Sequence, residues 1–234
     1  MTAIYRKEIK AYFSSPIAYI YLAIFYLVSG LFFYLGSLSM GLANLNDVFS
    51  MLFALSLIAV PFLTMRLFAE EKKQRTDQVL LTAPISLNGI VVGKFLAALS
   101  IFAIGISVTL VYAFVLTIFA PIEWAIIIGN LLGILLLGAA FIAMGTFVSC
   151  LTENQIIAAV VTIAISLFWV LMDSLAGIFN IGFITSIINS LSLYTHYYNF
   201  TVGLLNIASI LFFVSAVAVF LFLTTRLLER RRWS

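Results

Sequence analysis

The stretch FLAALSIFAIGISVTLVYAFVLTIFAPI, residues 95–122, carries no charged side chain, with Lys94 immediately before it and Glu123 immediately after. An apolar helix needs about 20 residues to cross a ~30 Å hydrocarbon layer, and a charge at its centre costs about 2.5–3.5 kcal/mol. This run is long enough and free of charge throughout. Outward along the chain, the same holds for residues 124–152, 154–172 and 174–225 on one side, and for 48–65 and 11–46 on the other. Six uncharged runs predict six spans, at 16–38, 48–68, 90–119, 124–150, 155–178 and 204–228. A soluble core is excluded by composition, because 64% hydrophobic and 9% charged residues leave too little polar surface to cover a globule.

The charges fix an orientation. All twelve Lys and Arg fall in three clusters: Arg6, Lys7 and Lys10; Arg66 through Lys94; and Arg226 with Arg230, Arg231 and Arg232. With six spans every cluster lands on one side, and the positive-inside rule places both termini and the loop from Arg66 to Lys94 in the cytoplasm. The opposite segments carry Asp47, Glu123 and Asp173 and neither Lys nor Arg. The net charge of +3 is then a topology signal, strengthened by anionic lipid, and no nucleic-acid partner is expected. The basic flank before the first run is also how a signal peptide begins, but the run is too long and lacks a small-residue cleavage site, so it reads as a retained span. Cys150 is the only cysteine, which leaves no intrachain disulfide and reads as packing.

Three segments stand apart from the spans. In residues 1–15, Ile4, Tyr5, Ile9, Tyr12 and Phe13 are expected on one helical face and Arg6, Lys7, Glu8 and Lys10 on the other, as in a helix lying in the membrane interface. It is either an anchor or a moving part of a transport cycle. Ser14, Ser15 and Pro16 are expected to cap and start the first span. Residues 70–83 form the only densely charged stretch, where Thr76 can cap a short helix, Val79, Leu80 and Leu81 give it an apolar patch, and Pro84 ends it. On these residues alone, a docking helix and a solvated linker both remain. Residues 179–200 are apolar but broken by polar residues, which predicts short helices dipping into the outer leaflet and returning, with Tyr194, Tyr197 and Tyr198 as an interfacial belt. Within the fourth span, Gly129 and Gly133 form a GxxxG pair that permits close helix contact.

The residues also exclude chemistry. No ionisable group lies near a predicted span centre, as ion coupling would require. His196 is the sole histidine, too few for a zinc site, and no His pairs with a Ser or Cys as a nucleophile. The stretch Gly89 to Phe95 is not a phosphate loop: it has three residues between its glycines, no Ser or Thr after Lys94, and no preceding strand. The chain is therefore expected to be neither an enzyme nor self-powered, with no catalytic, cofactor or metal site of its own, and any uphill movement draws energy from another polypeptide.

Three stretches carry a family likeness: Lys7-Glu8-Ile9 with Tyr12 to Tyr19; Thr64 to Lys73 continuing through Leu80-Leu81-Thr82-Ala83-Pro84-Ile85 and Gly93-Lys94-Phe95; and Leu227 to Trp233. Together they resemble the six-span membrane subunits of ABC-2 type ABC transporters, most nearly the subgroup associated with bacterial gliding motility. The resemblance spans nearly the whole chain and implies an all-α integral membrane fold of the type V exporter class. That fold has an amphipathic elbow helix at 1–15, a coupling helix at 70–83 and re-entrant helices before the last span. It implies a bacterial inner-membrane location and a pair of such subunits, identical or paralogous. Beneath them two ABC ATPase subunits, which hold ATP and Mg, would dock on Glu70, Glu71, Lys72, Lys73, Thr76, Val79, Leu80 and Leu81. Two positions depart from the family pattern, with Arg75 where a Gly commonly precedes the Thr and Gln78 where an acidic residue is common. By family analogy the first, second and fifth spans line a path. There Tyr26, Phe33, Met51, Phe53, Phe168 and Trp169 would suit an amphiphile, while packing or lipid contact accounts for each singly. The implied function is export; the alternative is an ATP-driven mechanical scaffold acting on a periplasmic or envelope protein without solute transport.

Overall fold

A computed structural model of the chain describes residues 1–42, 44–76, 78, 86–178 and 190–232, with 173–178 described by backbone only. Among these residues there is no β-strand, and six helices have the length and apolar composition to cross a membrane. The chain begins with α1 (Thr2–Ser14), followed by α2 (Pro16–Phe32), which runs on as a π-helical segment, Phe33–Leu38. Next come α3 (Asn46–Thr64) and the short α4 (Arg66–Lys73). The long helices α5 (Leu87–Phe119), α6 (Trp124–Leu151) and α7 (Gln155–Ile178) follow, then the short α8 (Leu193–Thr201) and α9 (Ile207–Arg232).

Helix α6 is the axis of the bundle, packed against α3, α5, α8 and α9, and it is the most buried of the six. Its small residues explain the position. A Cβ on Gly138 would come within 2.1 Å of the Phe102 ring of α5, and one on Gly145 within 2.2 Å of Thr64 Oγ1 of α3. The GxxxG pair has a partner inside the chain: Gly133 faces the side chain of Phe200 and Gly129 its carbonyl oxygen, so α8 seats directly on the α6 backbone. In lipid, where helices gain little from hydrophobic transfer, such close approach is what holds them together. The outward faces of α2, α5, α7 and α9 expose Leu27, Phe114, Ile156 and Ile207, as expected of helices with apolar surfaces on both sides.

Several local expectations are revised. Glu8 is not on the polar face of α1: the spacing Ile4, Glu8, Tyr12 places it in the buried stripe, while Arg6, Lys7 and Lys10 are exposed. Ser15 holds the cap position of α2 in extended conformation, but its hydroxyl donates to the Tyr12 carbonyl (3.1 Å) and not to the helix it precedes. The span predicted at 48–68 is interrupted at Met65, where α3 gives way to α4. The helix predicted over 70–83 is not continuous, since α4 ends at Lys73 and Gln74 to Thr76 form a turn. Of the predicted segment 179–200, residues 179–189 lie outside the described residues, and α8 occupies its later part.

Candidate functional site

The polar chemistry of the chain converges where α1, α4, the start of α5 and the end of α6 meet. Lys94 is 1% exposed, two turns inside α5, and each of its three N–H donors has an acceptor. Its Nζ lies 2.9 Å from Glu8 Oε1 of α1, 3.0 Å from Glu71 Oε2 of α4 and 2.7 Å from the Leu67 carbonyl oxygen, with the Phe68 ring 5.1 Å away. Glu71 Oε1 accepts from Lys7 Nζ at 3.1 Å. Two cations thus face two carboxylates and the formal charge cancels. A lone ammonium in this position would cost several kcal/mol, so the two carboxylates are the condition for its burial. Gly93 matters to the approach of α1, since a Cβ there would meet the Ile4 side chain at 3.1 Å and the Met1 carbonyl oxygen at 3.3 Å.

A second set of contacts fixes α4 from the other side. Ser149 Oγ of α6 accepts from the backbone N–H groups of Phe68 and Ala69, each at 3.1 Å, and donates to the Met65 carbonyl oxygen at 2.9 Å. In an unbroken helix Ala69 N–H would reach Met65 directly; here the hydroxyl is inserted into that ladder, which is what bends α4 away from α3. Lys72 is buried and donates to the Cys150 carbonyl oxygen. Tyr12 donates to the Leu63 carbonyl oxygen at 2.7 Å beneath the Arg66 guanidinium. Burial pushes its phenol well above the usual range despite Arg66, so it remains a donor.

The C-terminus of α4 is a Schellman motif. Thr76 N–H donates to the Glu71 carbonyl oxygen (2.9 Å), Arg75 N–H to that of Lys72 (3.0 Å), and Arg75 takes the left-handed conformation with φ of 55°. That conformation favours glycine, and a non-glycine residue there costs about 1–2 kcal/mol. Arg75→Gly is therefore expected to stabilise the turn by about 0.5–1 kcal/mol, some of the relief being offset by a more flexible unfolded chain. Slower amide hydrogen exchange at Gln74 to Thr76 would register it; unchanged or faster exchange would contradict it.

The expected docking residues divide into two groups. Glu71 and Lys72 turn inward, their charges engaged within the chain, and Glu70 is half-buried and lies 3.8 Å from Arg66. Lys73 and Thr76 are exposed, with Gln74, Arg75 and Gln78 beside them, while Val79, Leu80 and Leu81 fall outside the described residues. The six expected path residues are not brought together. Tyr26 donates to the Ile104 carbonyl oxygen, Phe33 stacks on Tyr112 at 4.5 Å, Phe168 points outward, and Trp169 donates to the Leu191 carbonyl oxygen. Met51 and Phe53 do line cavities, at the end of the bundle opposite Lys94. His196 stacks on Phe212 at 4.2 Å and bonds Ser209 Oγ, and among the described residues no three His, Cys, Asp or Glu side chains group as metal ligands.

Neither a scan against protein-family models nor a search of curated proteins returns a match for this chain.

Proposed function

We propose that the chain is the membrane-spanning permease subunit of an ATP-driven ABC-2 type exporter, working as a pair above separate ATPase chains. The observation that supports this reading best is α4. A short helix follows the second span, its inner face is tied to α1, α5 and α6 by buried polar contacts, and its end presents Lys73, Arg75 and Thr76 to solvent. A solvated linker needs no such anchorage. In this reading the basic end of the bundle is cytoplasmic and an ATPase grips the segment that begins at Glu70. Closure of the ATPase pair presses on α4, and because α4 cannot bend away from Lys94 and Ser149, the ends of α5 and α6 follow as one body.

Replacing Val79 and Leu80 together by Asp removes the apolar patch of this segment without touching a span. ATPase copurification with the tagged chain, from native membranes in mild detergent, is expected to fall at least tenfold while the yield of inserted chain is unchanged. ATPase recovered in undiminished amount would refute the docking assignment.

A further inference from the structure

We infer that the pocket between α3, α6 and α8 binds an uncharged, hydroxylated ring, the headgroup chemistry of a neutral sugar. The cavity measures about 440 Å³, within the ~300–1,000 Å³ of small-molecule sites. Its walls include Asn46, Ser50 and Phe53 of α3, Asn130 of α6, and Tyr194 and Tyr197 of α8. Among the described residues that line it none is charged. An ionic ligand would be buried there without a counter-charge, and a plain hydrocarbon would cover amides and hydroxyls without pairing them, at about 1–3 kcal/mol for each group. A sugar ring meets both demands: its C–H faces suit the negative faces of aromatic rings, and its hydroxyls both give and take hydrogen bonds, as amide side chains do.

The hydrogen-bonding capacity of this wall is unspent, unlike that of the spans around it. Elsewhere hydroxyls bond back to their own helix, as Ser56 does to Leu52, Ser100 to Leu96, Thr146 to Ile142 and Ser166 to Thr162. Ser50, Asn46 and the Tyr194 hydroxyl make no side-chain hydrogen bond to a described residue. Asn130 spends its amide N–H groups on the Ile126 and Thr201 carbonyl oxygens (3.0 and 3.4 Å), which leaves Oδ1 as a fixed acceptor. The Tyr197 hydroxyl is buried without a partner. The wall is also preformed, because Gly129 and Gly133 hold α8 against α6. A neighbouring cavity of about 420 Å³ shares Ser50 and is lined by Phe32, Leu35 and Met51, where an alkyl chain attached to the ring would lie.

The inference needs no ATPase and is tested on the chain alone, so its failure and that of the docking assignment are separable. The purified chain, in nanodiscs of phosphatidylethanolamine and phosphatidylglycerol, is labelled with a diazirine-bearing octyl glucoside and the crosslinks are mapped by mass spectrometry. Labelling is expected in peptides covering Asn46 to Phe53 and Leu193 to Thr201. Octyl glucoside should compete and octyl phosphocholine should not, and labelling should fall at least fivefold in both Asn130→Leu and Tyr194→Ala. Tyr194 is half exposed, so its truncation spares the fold should Asn130→Leu disturb it. Competition by free glucose as well assigns the pocket to the sugar itself, and competition by the glucoside alone assigns it to a lipid-linked sugar; either supports the inference. Equal competition by phosphocholine, or labelling undiminished in the folded variants, would overturn it.

Discussion

Lys94→Met is expected to be the most damaging single substitution in the chain, lowering stability by about 3–5 kcal/mol. Methionine fills much of the space of the lysine stem, so the loss is electrostatic and not steric. Glu8 and Glu71 would be left facing each other's charge where the ammonium had been, in a place where little water reaches them. Glu71 keeps Lys7, which is half exposed and screened, whereas Glu8 keeps no printed cationic partner. For a chain of this size each kcal/mol is worth about 2–4 °C, so the midpoint of thermal unfolding in detergent should drop by roughly 6–20 °C.

The mechanism is separable from a packing defect by pairing the change with Glu8→Gln. If the damage is an orphaned carboxylate, the double variant Glu8→Gln/Lys94→Met is more stable than Lys94→Met alone, because removing both members of a buried pair costs less than removing one. Acidification should narrow the deficit in the single variant as protons neutralise the exposed charge, and do little in the double. A drop below about 3 °C in Lys94→Met, or a double variant no better than the single, would show that the junction is not the keystone described.

How much of this was legible in the sequence depends on the kind of residue. The spans are set by long uncharged runs, and a run such as Phe95 to Ile122 admits few other readings in lipid. Lys94 was legible as a position but not as a centre. It closes a basic cluster in the sequence, and only the packing of α1 and α4 shows that it is two turns inside a helix with carboxylates from both. Glu8 did carry a signal: its place between Ile4 and Tyr12, four residues from each, marks it as buried more firmly than its charge marks it as exposed. Arg75 shows the converse, since its departure from a family glycine is noted in the sequence, while the reason glycine belongs there, a positive φ at a helix end, is visible only in the fold. The pocket between α3, α6 and α8 was illegible because Asn46, Asn130 and Tyr194 lie far apart in the chain and none is unusual alone.

Ser149 belongs to the same class of unreadable residue, and its removal should have the second largest effect. In Ser149→Ala two outcomes compete. If the bend between α3 and α4 persists, the N–H groups of Phe68 and Ala69 lose their acceptor, at about 1–3 kcal/mol for each buried group left unmade. If the helix instead straightens, Ala69 recovers a bond to Met65, but α4 swings away and lengthens the Glu71 to Lys94 contact, now 3.0 Å. The cheaper route wins, so the net loss should be about 2–3 kcal/mol, or roughly 4–12 °C in the unfolding midpoint. Amide exchange at Phe68 and Ala69 tells the routes apart: it accelerates if the bend persists and stays slow if the helix straightens. Ser149→Thr keeps the hydroxyl and should recover most of the loss. Wild-type stability in Ser149→Ala, with unchanged exchange at both amides, would mean that the hydroxyl only occupies a bend that Pro61 and the surrounding packing already impose.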